Sequence, residues 1–385
     1  LAEARPSRSL SPVNEWDVFT IPYTSGTTGK PKGVLVPHRS RILTLFAMAV
    51  EYGCYGPDDL FLAIAPMCHG AGMIFSLAPI FFGGYAEIMD SFEPEAVLTC
   101  LANESISGFF GVPTHFHALL EAGSGLQTAS CKGQLRAVIS NAAAMPQAMK
   151  EQLVAKLGPG LLHDTYGSTE AGIVSNLRPA DQLRKQQCVG QPFPCTLIEI
   201  RRPDDSVCAA DEVGELYSRS PYLFNGYWGR PEETAETYRE GWVTVGDLAR
   251  RDAEGHLYIV DRLKDMVISG GINIYPREVE EVIYRNPEVA DVALIGVPDE
   301  RWGEVLKAFV VRRAGSSLDE AALTEFLQGK ISRMKQPKYV EFLAQNDSQL
   351  QCVDRVQTET FLAEQGNVVL NVFRLCVFKV EGFND

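Results

Sequence analysis

Residues 136–157 read RAVISNAAAMPQAMKEQLVAKL and contain a strand pattern followed by a helix pattern, the two signals that decide the fold. Arg136 to Ser140 predicts a short strand. Pro146 to Leu157 predicts a helix with proline at its start, where the missing N–H is tolerated. Buried strand patterns alternate with helical ones from Asp17 to about Asp261. Such alternation predicts α/β layers with ligand-binding loops at the strand ends.

A second informative segment, residues 23–33, reads YTSGTTGKPKG. Its glycines allow a close backbone approach and positive φ, while its hydroxyls and its two lysines can bind phosphate oxygens. It is not a Walker A loop, because Pro31 follows Lys30 where that motif needs a Ser or Thr. The alternative is a polar hairpin between two strands, and this loop alone does not decide between the two readings.

Four further motifs follow in order along the chain: YGSTE at 166–170, GWVTVGDL at 241–248, DRLKD at 261–265 and ISGG at 268–271. With the glycine-rich loop they resemble the adenylate-forming (AMP-binding) superfamily, in particular its acyl-CoA synthetase/ligase branch, over roughly residues 17 to 344. The resemblance implies an α/β fold with a large layered N-terminal adenylation domain, incomplete at its start, and a small α+β C-terminal domain joined by a hinge.

The sequence predicts four regions. Residues 1–16 are a polar lead-in, 17–262 form the ATP- and acyl-binding adenylation domain, 263–344 form the small mobile domain, and 345–385 form an atypical tail. The character of the sequence changes after Arg262: a helix is predicted to start at Pro276 with early acids. Strands near 291–297, 306–311 and 339–343 and a helix near 318–326 follow it.

The resemblance implies a site for ATP, Mg²⁺ and coenzyme A. The loop grips the β- and γ-phosphates, Thr169 hydrogen-bonds the α-phosphate, and Glu170 supplies a carboxylate oxygen to Mg²⁺. On the residues alone, Thr169-Glu170 could instead be a helix cap with an acid in the first turn. The predicted nucleotide- and coenzyme-binding residues are Thr24, Ser25, Gly26, Thr27, Thr28, Gly29, Lys30, Lys32, Asn141, Ala142, Ala143, Asp164, Thr165, Tyr166, Gly167, Asp247, Arg262, Gly270 and Gly271.

Several of these residues have individual expected roles. Adenine lies between Asn141–Ala144 and Tyr166, bordered by Asp164-Thr165. Asp247, a strand-end acid, accepts hydrogen bonds from the ribose hydroxyls. By resemblance, Arg262 contacts the ribose and phosphate region and acts as a catalytic residue with Thr169 and Glu170. Lys264 is the hinge whose rotation brings Gly270 and Gly271 to the pantetheine arm.

The acyl pocket is expected between Met67–Met73, Gly111–Phe116 and Gly167–Ile173. His69 matches the family's gate to the carboxylate pocket. Amino-acid-loading relatives place an acid near the first of these segments, whereas this chain has Cys68-His69. An amine substrate is therefore disfavoured, because a buried ammonium without a partner is costly. The same Cys and His, with His115 and His117, suggest zinc, but no close third ligand appears.

Composition limits the partners. A formal net charge of −14 argues against a nucleic-acid surface. The nine cysteines include no C-x-x-C pair and no secretory signal precedes them, which predicts reduced thiols and a cytoplasmic enzyme. Residues 60–86 carry no Asp, Glu, Lys or Arg, but prolines and glycines interrupt them, so a buried strand feeding a helix is expected rather than a transmembrane segment. The oligomeric state stays open.

The expected activity is the ATP-dependent conversion of a carboxylic acid to an acyl-AMP, followed by transfer to CoA, as in an acid–thiol ligase of fatty acid metabolism. Three alternatives remain: a carrier-protein-loading adenylation enzyme, a luciferase-like oxygenase, and a catalytically impaired nucleotide-binding relative. The last rests on the C-terminus. QNDSQLQC at 345–352 stands where the family has its Pro-Lys and Gly-Lys motif, and no lysine lies between Lys338 and Lys379.

Overall fold

The computed structural model describes residues 12–24, 31–123, 125–127 and 134–343. The chain divides into two compact units between Leu263 and Lys264. The strands of the first unit are β1 (Val18–Thr20), β2 (Tyr23–Thr24), β3 (Lys32–Pro37), β4 (Leu60–Ala63), β5 (Tyr85–Ile88), β6 (Ile106–Gly111), β7 (Ala137–Ser140), β8 (Leu162–Ser168), β9 (Gly172–Leu177), β10 (Gln191–Pro192), β11 (Leu197–Arg201), β12 (Gly214–Arg219), β13 (Gly226–Tyr227), β14 (Tyr238–Arg239), β15 (Trp242–Val243), β16 (Asp247–Arg251) and β17 (Leu257–Arg262). Its helices include α1 (His38–Tyr52), α2 (Gly70–Phe81), α3 (Pro94–Asn103), α4 (Pro113–Glu121), α5 (Gln147–Leu157) and α6 (Pro231–Thr237), with a 3₁₀ turn at Pro179–Asp181.

The largest sheet within the described residues has seven strands in the order β10-β9-β8-β7-β6-β4-β5. Strands β5, β4, β6, β7 and β8 are parallel, and β8, β9 and β10 are antiparallel. Consecutive residues of one strand enter different apolar clusters: Leu62 and Val138 pack in one, and Phe61 and Ile139 in the other. Because side chains alternate across a strand, the sheet is buried on both faces.

The deciding segment folds as predicted. Residues 137–140 form β7 in the middle of the sheet, and α5 begins at Gln147, one residue after the expected start, because Pro146 takes the N-cap position with ψ 141°. The uncharged stretch likewise gives buried β4 followed by α2. Among the described residues, no helix combines the length and the apolar character that crossing a membrane requires.

Two antiparallel sheets complete the first unit. One has the order β14-β15-β12-β16-β17 with β11 on β12, and the smaller one has β1-β3-β13 with β2 on β3. They share an apolar cluster that includes Val34, Leu216 and Leu257.

The end of the predicted polar lead-in contacts the first unit. Glu15 lies 2.5 Å from the Arg39 guanidinium, and its carbonyl accepts the N–H of Arg39 at 2.8 Å. The Trp16 carbonyl accepts Asn225 Nδ2 at 2.9 Å. These contacts attach Glu15 and Trp16, the last residues of the predicted polar lead-in, to the first unit. Composition alone does not reveal such partners.

The second unit is a small α+β structure. It contains β18 (Val267–Ser269), β19 (Ile272–Ile274), α7 (Pro276–Tyr284), β20 (Val289–Asp299), β21 (Gly303–Arg312), α8 (Glu320–Leu327), a 3₁₀ turn at Arg333–Lys335 and β22 (Tyr339–Leu343). The sheet has the order β19-β18-β21-β20, with β22 parallel to β21. Val279 and Ile283 of α7 are fully buried, as the helical spacing predicts.

Candidate nucleotide and metal site

The turn after β7 lies at the carboxyl edge of the parallel sheet. Asn141 Nδ2 donates to Thr165 Oγ1 at 3.0 Å, and that hydroxyl donates to the Ser140 carbonyl at 2.8 Å. The Ala142 N–H donates to the Asn141 side-chain oxygen, and Ala142 has φ 76°. A non-glycine residue in the left-handed region is strained and persists only where its surroundings fix it. The structure therefore joins the turn at 141–143 to Thr165, as the adenine prediction requires.

The Asp164 carboxylate forms a buried ion pair. Its Oδ2 lies 2.6 Å from Lys150 Nζ, and the two side chains are only 7% and 3% exposed. Lys150 also donates to the Cys188 carbonyl at 3.3 Å. Lys150, which belongs to α5, thus neutralises the Asp164 carboxylate. Only the backbone of Asp164 is then available to border a base.

Three of the sequence motifs meet at Asp247. Asp247 and Arg262 are directly opposed on β16 and β17, and Arg262 Nε lies 3.4 Å from Asp247 Oδ1. The phenolic O–H of Tyr166 donates to Asp247 Oδ2. The Asp247 side chain is 8% exposed, whereas that of Arg262 is 71% exposed. A buried carboxylate therefore lies between an aromatic ring and a guanidinium that extends into solvent.

Glu170 forms a second cluster with Lys32. The Tyr227 hydroxyl donates to Glu170 Oε1 at 2.8 Å, and both residues are buried. Burial, reinforced by the Glu170 charge, raises the pKa of Tyr227 well above its usual range, so the phenol remains a donor. Lys32 Nζ lies 5.0 Å from the centroid of the Tyr227 ring, within cation–π range.

The Glu170 carboxylate suits a divalent cation. Among the described residues Tyr227 is its hydrogen-bond partner, through Oε1, and Oε2 accepts no hydrogen bond from them. Mg²⁺ prefers hard oxygen ligands and is usually bound by one or two carboxylates together with substrate phosphates. In the part of the chain that the structure describes, no group of three His, Cys, Asp or Glu residues could hold a metal by itself. A single buried carboxylate fits an Mg²⁺ ion that takes its other ligands from substrate and water, and does not fit a zinc cage.

The flanks of the glycine-rich loop form a hairpin. Thr24 of β2 and Lys32 of β3 are paired, as are Tyr23 and Gly33. A Cβ at Gly33 would lie 3.0 Å from Ile21 Cγ2, so the strand packs closely at its start. Ser25, Gly26, Thr27, Thr28, Gly29 and Lys30 lie outside the described residues. Both the phosphate-loop and the polar-hairpin readings are compatible with these flanks.

Glycines bring the backbones of β8 and β9 into contact beside Thr169. A Cβ on Gly167 would lie 2.1 Å from the Gly172 carbonyl oxygen, and one on Gly172 would lie 2.8 Å from Tyr222 Cβ. Thr169 is partly buried in the turn between the strands, and the Ser168 hydroxyl accepts the N–H of Ala171 at 3.1 Å. This turn sets the direction of Thr169 and Glu170, and no helix starts there, which removes the helix-cap alternative.

His69 is the exposed N-cap residue of α2, and its carbonyl accepts the N–H of Met73 at 2.9 Å. In the first turn of α4, His115 Nδ1 accepts the Val112 N–H at 3.4 Å, and burial lowers the pKa of this imidazole. His117, on the same helix, lies 3.5 Å from Glu121. The histidines thus have separate local partners.

In the second unit, Lys264 is the first residue, and Gly270 and Gly271 have φ 55° and 80°. The Gly270 N–H donates to the Trp302 carbonyl at 2.8 Å, and a Cβ on Gly270 would lie 2.7 Å from the indole. A side chain is therefore excluded at Gly270. The predicted roles of these residues in hinge rotation and coenzyme binding stay predictions.

Two family models match the sequence: "AMP-binding enzyme" over residues 2–228 and "AMP-binding enzyme C-terminal domain" over residues 278–348. The chain belongs to the AMP-binding enzyme family. It is 38% identical over 334 residues to a feruloyl-CoA synthase from an Amycolatopsis species, covering 86% of this chain and 67% of the relative. It is 34% identical over 325 residues to a medium/long-chain-fatty-acid–CoA ligase from Mycobacterium tuberculosis, covering 83% of this chain and 56% of the relative.

Solved structures of the AMP-binding family agree. ATP-bound MatB from Rhodopseudomonas palustris has a TM-score of 0.81 and 31% identity, covering 89% of this chain and 67% of that chain. The o-succinylbenzoate CoA synthetase of Bacillus subtilis, in complex with its acyl-adenylate intermediate, has a TM-score of 0.78 and 29% identity, covering 86% of this chain and 66% of that chain. The predicted family and the α/β fold with a large first and a small second unit are confirmed. The curated relatives named above are CoA ligases, which are acid–thiol ligases of the AMP-forming type.

Sequence reasoning missed two partners within this AMP-binding fold. Tyr227, in the segment FNGYW, carries no signal of contact with Glu170, because 57 residues separate them. Lys150 lies in the segment 136–157, whose pattern predicts only that it is part of a helix. It nevertheless neutralises Asp164. Both contacts depend on how the strands are arranged in space.

Proposed function

We propose that this protein converts a carboxylic acid to an acyl-AMP at the expense of ATP and transfers the acyl group to coenzyme A. The observation that carries the proposal is the convergence of Tyr166, Asp247 and Arg262, three residues from separate motifs, on one buried carboxylate. A carboxylate of this kind can accept the hydrogen bonds of ribose hydroxyls while its charge is balanced by the guanidinium. The activity rests on relatives of which this chain spans about two thirds or less.

The two half-reactions assign roles to residues of both units. In the first, a carboxylate oxygen of the acid forms a bond to the α-phosphorus, and pyrophosphate leaves with its bridging oxygen. Arg262 and Thr169 offset the charge that develops on the α-phosphate, while Asn141–Ala143 and Tyr166 hold the base. In the second, the thiol sulfur of CoA bonds to the acyl carbon, its proton is released, and AMP leaves. Gly270 and Gly271 admit the pantetheine arm.

Glu170 is the proposed ligand of Mg²⁺, and Thr24 to Lys32 is the proposed phosphate loop. A cation held there would neutralise part of the phosphate charge. Support comes from the geometry of Glu170, whose Oε1 is held by Tyr227 while Oε2 accepts no hydrogen bond from the described residues. His69, exposed at the start of α2, would gate the acid.

A second candidate function is a nucleotide-binding protein that adenylates poorly. The observation that favours it is the segment 345–378, which lacks a lysine where family members have a Pro-Lys and Gly-Lys motif. From composition, we also propose that the protein acts in the cytoplasm. From the feruloyl-CoA synthase and the fatty-acid–CoA ligase to which the chain is similar, we propose that its acid is a fatty or aromatic acid. A carrier protein remains the alternative acyl acceptor to CoA.

Three assays of the purified chain test these proposals together: ATP–pyrophosphate exchange over a panel of fatty and aromatic acids, overall CoA ligation, and CoA transfer from a supplied acyl-adenylate. Acid-dependent ligation supports the ligase. Binding of ATP by calorimetry without any of the three reactions, in a folded protein, would replace it by the nucleotide-binding alternative. A carrier protein that accepts the acyl group in place of CoA would overturn the CoA assignment alone.

A further inference from the structure

Tyr227 occupies a supported position in β13. Gly226 before it has φ 131°, and a Cβ there would lie 2.8 Å from the Thr234 methyl group. The Tyr227 N–H donates to Thr234 Oγ1 at 2.9 Å, and its ring packs edge-on against Phe224 at 5.1 Å. Residues 226 and 227 also pair with β3 at Leu35 and Val34. The phenol is therefore held from several sides before any ligand binds.

This fixed phenol contacts two different parts of the candidate site. Its hydroxyl donates to Glu170 Oε1 at 2.8 Å, and its ring faces Lys32 Nζ at 5.0 Å. Lys32 is paired with Thr24 at the base of the glycine-rich loop. Glu170 lies in the turn between β8 and β9. The Tyr227 side chain thus connects β3, the strand that follows the proposed phosphate loop, with Glu170, the proposed ligand of the cation.

The hydrogen bond from Tyr227 determines the direction in which the other carboxylate oxygen of Glu170 points. A carboxylate held through one oxygen keeps a fixed plane, so the other oxygen points in one direction rather than sampling several. A buried carboxylate without that donor would keep its desolvation cost and lose its orientation. The ring acts separately, because a cation over an aromatic face is held by the ring quadrupole and needs no hydroxyl.

We propose that Tyr227 is a positioning residue for the metal and phosphate site: its hydroxyl orients Glu170 toward the divalent cation, and its ring holds the Lys32 ammonium at the base of the phosphate loop. The inference rests on the proposed function, because it assigns to Tyr227 a part in binding ATP with Mg²⁺. The hydroxyl and the ring of Tyr227 thus contribute separately, and substitutions can remove them one at a time.

The experiment is calorimetric titration of ATP at a series of Mg²⁺ concentrations, and of AMP without Mg²⁺, for the wild type, Tyr227→Phe and Tyr227→Leu. Phenylalanine removes the hydroxyl and keeps the ring. We expect the Mg²⁺ concentration that half-maximally tightens ATP binding to rise about tenfold, since a hydrogen bond to a charged group is lost. Mg²⁺-free ATP affinity should stay within about twofold. Leucine should lower that Mg²⁺-free affinity by a further two- to fivefold or so, through the loss of the ring.

Tyr217→Phe is a matched control in the same unit. Tyr217 is also buried, donates to Glu215 Oε2 at 3.2 Å, and has the Arg201 guanidinium 4.4 Å from its ring centroid. It therefore repeats the combination of a phenol, a carboxylate and a cation at residues that the proposed site does not use. Its substitution should leave the Mg²⁺ midpoint unchanged. Unchanged AMP affinity in all the variants checks that the nucleotide site is folded.

A double-mutant cycle distinguishes positioning from a general structural role. Tyr227→Phe in a Glu170→Gln background should shift the Mg²⁺ midpoint by less than about twofold, because its route of action has been removed. An unshifted midpoint in Tyr227→Phe, or the same shift with and without Glu170, overturns the inference and leaves the proposed function standing. A wild-type protein that does not bind ATP overturns both.

Discussion

The phenolic O–H of Tyr166 donates to Asp247 Oδ2, although 81 positions separate the two residues in the chain. Arg262 approaches the other carboxylate oxygen at 3.4 Å. An ionised carboxylate has about four acceptor positions, and ribose hydroxyls are donors of the kind that it accepts. The Tyr166 contact therefore ties the ring proposed to face adenine to the acid proposed to bind ribose, and both parts of a nucleoside would meet a single preformed unit.

Removal of the Asp247 carboxylate should weaken the binding of adenine nucleotides. Each hydrogen bond to a charged group contributes about 1.5–3 kcal/mol, so Asp247→Ala should lower AMP affinity at least about tenfold. Calorimetry with AMP measures the effect. Asp211→Ala is the control, because Asp211 is 60% exposed and pairs with Arg250 on the surface. Equal AMP affinity in the folded Asp247 variant and in the wild type would contradict the ribose assignment.

Substitutions in the phosphate loop should discriminate between nucleotides. Lys32→Ala and Thr28→Ala should weaken ATP binding by roughly tenfold or more and AMP binding little, since the loop would contact only the outer phosphates. Thr28 is placed by sequence alone, whereas Lys32 lies at the base of the hairpin. Lys307→Ala, in the second unit and paired with Glu341, is the control. Parallel losses for ATP and AMP would indicate the polar-hairpin reading.

The first half-reaction should be slower than the second. Segment 345–378 contains no lysine, and the loss of one contact that stabilises developing charge costs about 10²–10³ in rate. A pre-formed acyl-adenylate supplied with CoA should bypass the defect, whereas ATP–pyrophosphate exchange should be depressed by that factor. Introducing lysine at positions of this segment offers a gain-of-function check. If exchange outpaces thioester formation in the wild type, this interpretation of the tail is wrong.

Stability should depend on the protonation of His163. Burial lowers the pKa of this imidazole from 6.5 to about 4, and its Nδ1 lies 3.0 Å from Asn176 Nδ2. Protonation therefore favours the unfolded chain. The stability from the neutral imidazole is complete above the unfolded pKa and falls as the pH drops from about 6.5 toward 4, by up to ~3 kcal/mol.

Denaturant unfolding at several pH values, compared between the wild type and His163→Gln, measures this contribution. The variant should show a smaller loss of unfolding free energy across that pH range. His117→Gln is the control, because His117 lies partly exposed beside Glu121. Parallel profiles for the wild type and His163→Gln would show that the buried imidazole does not titrate as its burial implies.

Local patterns predicted the elements well where one element carries its own signal. The strand expected at 339–343 is β22, and the short strand expected at 136–140 is β7, because burial on one or both faces selects a readable residue pattern. The start of α7 followed from Pro276. The sequence motifs supplied the candidate site residues.

The pairing of side chains could not be read in the same way. Lys150 reaches Asp164 from a helix, and Tyr227 reaches Glu170 from a short strand whose partner β3 lies far earlier in the sequence. No spacing rule links such positions, because the contacts depend on sheet order and on the register of β13 against β3. The attachment of Glu15 and Trp16 was missed for the same reason.

The contact between Gly167 and Gly172 sets a limit on the redesign of acid selectivity. Both glycines lie in the segment 167–173 proposed to border the acyl group, and a methyl group on Gly167 would lie 2.1 Å from a backbone oxygen. Variant libraries that randomise the whole segment would therefore consist largely of misfolded chains. Ile173 of the same segment packs in the apolar cluster with Phe75 and Phe110, so its replacement would change core packing instead of the backbone contact.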